Sequence, residues 1–256
     1  MHPATDAYER LVAIVARLRR ECPWDRAQTH QSVKHLLIEE AYETVEAIEQ
    51  ENWEGLCAEL GDLLLHVLFH AVMAEEGGRF TLREVLEGIA DKLVRRHPHV
   101  FGSTSVSGAE EVLRNWEQLK LAEGRRSALE GVPRSLPALL RAHRMQEKAS
   151  KVGFDWEDAA PVWEKVREEL QEFEDAVRTG SPEDQRRELG DLLFALVNYA
   201  RFLDLNAEEV LQEANQRFQK RFCYIEERLR EEGRSPQEAT LEEMDRLWEE
   251  AKRLLG

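Results

Sequence analysis

Cysteine is scarce and unpatterned: Cys22, Cys57 and Cys223 are odd in number and form no CxxC pair. That argues against a disulfide framework and suits a reducing compartment. Glycine and proline are also few, 14 and 8, so long stretches run without the residues that break helices. Positive charge is in deficit, with a formal net charge of −16. A chain this acidic repels nucleic-acid polymers as a whole, and no uniform basic stripe offsets it. The phosphate-binding loop GxxxxGK[ST] is absent, which excludes a Walker-type NTPase. Neither GxSxG nor a Ser-His-Asp pattern appears, so serine-hydrolase chemistry has no support. The longest apolar run, about 15 residues from Leu60, contains His66 and His70 and reads as too short to span a bilayer. The N-terminal stretch reads as an amphipathic helix and not as a signal peptide. The expectation is a cytoplasmic protein with neither membrane nor nucleic acid as partner.

What the chain does hold is charge and helix formers. Charged residues reach 34%, and Lys, Arg, Glu, Leu and Ala dominate, which predicts a mainly helical chain. The text is also written twice. Glu39, Glu40, Glu43, Glu59 and Asp62 recur at one constant spacing as Glu168, Glu169, Glu172, Glu188 and Asp191, and ELGDLL at 59–64 returns letter for letter at 188–193. The reading is an all-α fold of two tandem helical bundles: residues 1–124, a linker at 125–137, and 138–256.

In order, helical spacing covers 6–20, and a loop is expected through Thr29. A helix over 32–50 carries the first three acids, with Leu36, Leu37, Val45 and Ile48 on its buried side. After a turn at Asn52–Gly55, a helix carries Glu59 and Asp62. Its stretch Leu63–Met73 is apolar almost all round, predicting burial on most sides. Gly77-Gly78 ends it, and Thr81 with Glu84 forms a capping box. The next helix bears Lys92, Arg95 and Arg96 and stops at Pro98, and a Gly/Ser loop spans 102–108. A short helix then holds Trp116 and Lys120. Further helices are expected at 138–150, 161–178, 183–203 and 207–231. The last of these carries Arg217, Lys220 and Arg221, spaced like Lys92, Arg95 and Arg96. A closing helix pairs Trp248 with Lys252 as Trp116 pairs with Lys120.

A lone EExxE is usually a solvated helix face. Here the acids lie beside Leu60, Leu63 and Leu64, recur in position, and are followed each time by bases. Two carboxylates 4 Å apart repel by about 4 kcal/mol at an effective dielectric of 20. A converging set must therefore protonate or hold a cation. The donors are hard oxygens, which selects Mg²⁺ or Mn²⁺ over Zn²⁺. No ExxH is present, so a di-iron bundle is excluded. His66 and His70 become Ala195 and Tyr199 in the second copy, so both read as core or supporting histidines. Acids that hold a divalent cation beside a basic helix are equipment for phosphoryl chemistry.

EExxE with ELGDLL and RRHPHVF in the first half, and KVGFDW, ELGDLLFALVNYAR, NQRFQKRF and the closing LWEEAK in the second, resemble the MazG family of nucleoside triphosphate pyrophosphohydrolases. The resemblance covers nearly the full chain. It implies an all-α homodimer that cleaves nucleoside triphosphates between the α and β phosphates with Mg²⁺, the second half being the active one. Carried over by motif, Glu168, Glu169, Glu172, Glu188 and Asp191 bind Mg²⁺, and Arg217, Arg221, Trp248 and Lys252 contact the nucleotide. Arg217 departs from the family's usual lysine, and its planar fork alters the phosphate contact. Trp248 reads equally as a core anchor. Glu39, Glu40, Glu43, Glu59, Asp62, Lys92, Arg95 and Arg96 make a second, weak or inactive site.

Two other readings stay open. One is a non-catalytic, nucleotide-binding helical regulator; the other is hydrolysis of a different nucleotide phosphoester. The apolar runs Leu63–Met73 and Leu192–Leu203 independently predict a homodimer, since a half of roughly 120 residues covers them poorly alone. The helix break at Pro98, two residues past Arg96, leaves the first half's bases on a frayed end and favours the second half for catalysis.

Overall fold

The computed structural model describes residues 4–108, 111–112, 115–116 and 127–255, and those residues are mainly helical with no strand among them. They divide into two compact units, one through Ser107 and one from Gly108. The expected helix with Trp116 and Lys120 falls largely outside the described residues.

The first unit holds α1 (Thr5–Glu21), α2 (Pro23–Ala27), α3 (His30–Glu49), α4 (Trp53–Glu76), α5 (Leu82–Arg96) and α6 (Pro98–Phe101). The stretch read as a loop before Thr29 contains the one-turn α2. Pro23 starts it, where a missing N–H costs nothing, and the buried Arg19 guanidinium donates to the carbonyls of Asp25 within it and Gln28 at its end. Thr29 caps α3 in a reciprocal box with Ser32. Thr81 and Glu84 form the box expected ahead of α5. The core gathers Val15, Val33, Leu68, Phe69 and Met73 from α1, α3 and α4.

Two burial expectations are corrected. The buried side of α3 runs through Val33, Thr44 and Ala47, while Val45 and Ile48 are exposed. The apolar helix α4 buries His66, Leu68, Phe69, Ala71, Met73 and Ala74 but leaves Leu60, Leu64 and Val67 in solvent. The run judged too short for a bilayer also lies in a helix of 24 residues that passes by length and composition alone. Its buried residues, and Glu59 and Asp62 near its start, are features of a core helix.

The second unit repeats the scheme with α7 (Ala138–Ser150), α8 (Ala159–Thr179), α9 (Pro182–Phe202), α10 (Ala207–Glu231) and α11 (Leu241–Leu255). Helices α8 and α9 form a hairpin against which α7 packs, as α1 packs on α4; α11 packs on α10. The hairpin turn needs Gly180, because a Cβ there would stand 2.8 Å from the Ala176 carbonyl oxygen. Ser181 and Asp184 then cap α9, with Pro182 in its first turn. Lys148 is buried and donates from Nζ to Glu130 O at 3.0 Å, tying the stretch ahead of α7 to this unit.

The exposed apolar positions repeat too. Leu189, Leu193 and Leu196 on α9 occupy the places of Leu60, Leu64 and Val67, and all six are exposed. At i, i+4 and i+7 each trio lines one helix face.

Candidate active site

Each hairpin brings three of its five acids together. In the second unit carboxylate oxygens of Glu169, Glu172 and Glu188 lie within 4.8 Å of one another; in the first, those of Glu40, Glu43 and Glu59 do. Two acids one turn apart on the first helix meet one from the antiparallel second helix. Glu168, Asp191, Glu39 and Asp62 stand outside these triads. At about 4.8 Å and an effective dielectric of 20, each ionised pair repels by roughly 3.5 kcal/mol.

The two clusters meet that repulsion differently. In the second unit, Lys165 Nζ lies 2.8 Å from both Glu168 Oε1 and Glu169 Oε1, and Arg187 Nη2 lies 2.7 Å from Glu188 Oε1. The hydrogen bonds to Glu168 and Glu169 raise the Lys165 pKa, and its bond to Glu188 raises that of Arg187. Glu169 is buried, and that ammonium pairs with it there. In the first unit Leu36 and Ala58 stand at the positions of Lys165 and Arg187. There burial first, then the charges of Glu59 and Glu39 and a hydrogen bond with Glu59, push the Glu43 carboxyl up from its ordinary value. Glu40 has a buried histidine instead, His66 Nε2 at 3.8 Å. His70 stacks on His30 with Nδ1···Nδ1 at 2.8 Å. Burial, then His30 and His66, lower the His70 pKa.

Beside the second cluster opens a cavity of about 490 Å³, and Lys165, Glu169 and Asp191 form part of its wall. The predicted nucleotide-contacting residues lie elsewhere in the unit. Arg221 places its guanidinium 5.5 Å from the Trp248 ring centroid, and Phe218 packs on the same ring at 5.3 Å. Arg217 lies 3.5 Å from Glu213, and Lys252 lies 2.6 Å from Glu249. None of Arg217, Arg221, Trp248 or Lys252 lines the cavity. In the first unit Lys92 and Arg95 are exposed and Arg96 is half-buried at the end of α5.

Lys165 and Arg187 were missed by sequence reasoning, although a signal existed: both are cations next to the repeated acids that the repeat does not copy.

The model of the MazG nucleotide pyrophosphohydrolase domain matches twice, at residues 28–101 and 157–223, one match on each acid hairpin. The chain belongs to the MazG family. It is 43% identical over 254 residues to a nucleoside triphosphate pyrophosphohydrolase of Escherichia coli K12, covering 96% of this chain and 97% of that protein. It is 43% identical over 257 residues to the nucleoside triphosphate pyrophosphohydrolase/pyrophosphatase MazG of Thermotoga maritima, covering 98% of each. A Bacillus subtilis protein, uncharacterised, is 50% identical over 247 residues, which span 94% of this chain and 50% of that protein. The MazG matches account for both the acid repeat and the all-helical, two-unit build.

Proposed function

We propose that this MazG chain hydrolyses nucleoside triphosphates between the α and β phosphates, releasing a nucleoside monophosphate and pyrophosphate, with Mg²⁺ as cofactor and Mn²⁺ able to replace it. The observation that carries the reading is the second unit's cluster. Three carboxylates converge, two cations sit on them, and a cavity opens alongside. The printed activities of the E. coli and T. maritima relatives support the substrate class.

The donor set fits a hard divalent cation, being carboxylate oxygens alone at close approach. Glu169, Glu172, Glu188 and Asp191 would hold it, with Glu168 joining once freed from Lys165. Bound there, the cation neutralises phosphate oxygens and lowers the pKa of the attacking water. Lys165 and Arg187 would exchange their carboxylate partners for phosphate oxygens. A cluster carboxylate accepts the water's proton as oxygen bonds to the α phosphorus. The bond from that phosphorus to the α,β-bridging oxygen breaks, and pyrophosphate leaves with that oxygen. Arg217, Arg221, Trp248 and Lys252 are proposed to meet the part of the nucleotide that extends away from the cavity.

We further infer a cytoplasmic homodimer. The exposed trios Leu60, Leu64, Val67 and Leu189, Leu193, Leu196 support it, because such stripes lose stabilising burial in water. The regulator reading keeps one observation, confined to the first unit: Leu36 and Ala58 provide no cation for the acids there. The deciding experiment incubates the protein with ATP and Mg²⁺ and resolves the products. AMP with pyrophosphate is expected, and no turnover in excess chelator. ADP with orthophosphate, or no product at all, refutes the proposal.

A further inference from the structure

The cavity beside the acid cluster has a chemistry of its own. Its walls are mostly apolar, with Met145, Phe194 and Trp156 among them. Its volume of about 490 Å³ falls in the range of small-molecule sites, roughly 300–1,000 Å³. Most of its polar groups are already spent. Arg201 donates to both Asp155 oxygens, at 2.8 and 2.6 Å, and to Asn198 Oδ1 at 3.1 and 2.8 Å. One buried acceptor is left over in its walls among the described residues. Gln146 is 8% exposed, and its Nε2 donates to Phe194 O at 2.8 Å, which fixes how the amide faces. Gln146 Oε1 is buried and has no hydrogen-bond partner. An unmet buried acceptor is costly, and a ligand N–H that reaches it recovers the loss.

The first unit has no counterpart. Phe69 stands at the repeat position of Asn198. Phe69 is buried in the core cluster. The repeat therefore preserves the acids in both halves but the cavity's polar residues in one.

We propose that this cavity is the nucleoside subsite of the second unit and that Gln146 reads the base, its Oε1 accepting from an amino or ring N–H. The inference rests on the reading of that unit as the triphosphate-binding half. Lys165, Glu169 and Asp191 belong to the same wall, so a phosphate held by the cluster leaves its nucleoside at the cavity mouth. Aromatic walls at Phe194 and Trp156 suit a flat ring. The occupant is thus an aromatic heterocycle with an N–H on its edge, attached to a phosphate.

The test is calorimetric titration of the full chain, with Mg²⁺, against AMP, purine riboside 5′-monophosphate and inorganic tripolyphosphate. Purine riboside lacks the amino group of adenosine. The wild type is expected to bind AMP about tenfold more tightly than the purine riboside compound, the scale of one hydrogen bond to a buried acceptor. Gln146→Met should erase that difference and leave tripolyphosphate affinity unchanged. Ala149→Phe, at the cavity edge on the same helix, should weaken both nucleotides and spare tripolyphosphate. It serves as the second variant if Gln146→Met does not fold. No discrimination by the wild type, AMP discrimination unchanged in Gln146→Met, or equal loss of all three ligands would each overturn the proposal. The readout is binding. If the wild type discriminates through Gln146 yet cleaves no triphosphate, the subsite stands and the hydrolase reading alone falls.

Discussion

Lys165→Met separates a working cation from an ordinary helix ion pair. Lys165 Nζ contacts Glu168 and Glu169 at 2.8 Å each, and its side chain is 40% exposed. As a structural element it is worth little: pairs this exposed contribute about 0–1 kcal/mol, so the melting temperature should hardly move. As a phosphate-holding group it matters more. A charge-assisted hydrogen bond is worth about 1.5–3 kcal/mol, and solvent at this exposure favours the lower end, so kcat/KM should fall by roughly tenfold. The metal response should run the other way. Lys165 competes with any cation for the Glu168 and Glu169 oxygens, and its loss leaves the cluster more negative. The Mg²⁺ concentration at half-maximal rate should therefore drop several-fold. The assay is steady-state pyrophosphate release over a grid of ATP and Mg²⁺, with circular dichroism to verify folding. A variant that keeps kcat/KM within twofold and the same Mg²⁺ response would refute the assignment and reduce Lys165 to a surface pair.

The remaining expectations are brief. Glu172→Gln with Asp191→Asn should lose nearly all activity while Glu43→Gln with Asp62→Asn keeps most of it; the reverse, in side-by-side assays, moves the active site to the first unit. Leu64→Arg with Leu193→Arg should fold as the wild type does and halve the mass in light scattering; a wild type already monomeric at micromolar concentration refutes the dimer. Leu68→Ala, at a side chain 1% exposed, should cost about 2–5 kcal/mol in denaturant unfolding, and a smaller loss would mean that the first unit's core closes over the gap. Arg234 and the Thr240 backbone hold the Glu243 carboxyl down at about 2, below its ordinary 4.5. A depressed carboxyl stabilises the fold above its unfolded value and loses that effect as pH falls through the folded one. Glu243→Gln should thus flatten acid unfolding between those two values, with no change at neutral slope.

The helices and the acid hairpins were legible in the sequence because their signals are local. Thr81 and Glu84 are three residues apart and form the capping box that their spacing announces. The acids were legible because they are repeated. What escaped needed three dimensions. The short helix at Pro23 is held by Arg19, whose guanidinium reaches carbonyls beyond the helix start. Composition alone suggested that α4 is buried on most sides, yet Leu60, Leu64 and Val67 are exposed among the described residues. The homodimer proposed above would cover that face, which the pattern of a single helix does not show. The cavity was hidden more thoroughly, since Met145 on α7, Trp156 after it, Val162 on α8, and Phe194 and Arg201 on α9 meet only in the fold.

The contrast between the halves bears most on function. Both clusters have the same triad geometry, so geometry alone cannot separate them. Their counter-charges can. In the first unit the acids face one another, and the Glu43 carboxyl is pushed up; the cheapest relief is a proton, or a cation bound for its own sake. In the second unit Lys165 and Arg187 already supply two positive charges. A triphosphate brings several negative charges to carboxylates of the same sign, and at about 3.5 kcal/mol per close pair that approach is prohibitive unless cations stand ready to change partners. Leu36 and Ala58 offer the first cluster no such cations, and the cavity wall described above continues from the second cluster's acids. The first unit, without those two cations, still keeps the acid hairpin and the exposed stripe of Leu60, Leu64 and Val67, and that stripe is what the proposed homodimer would use.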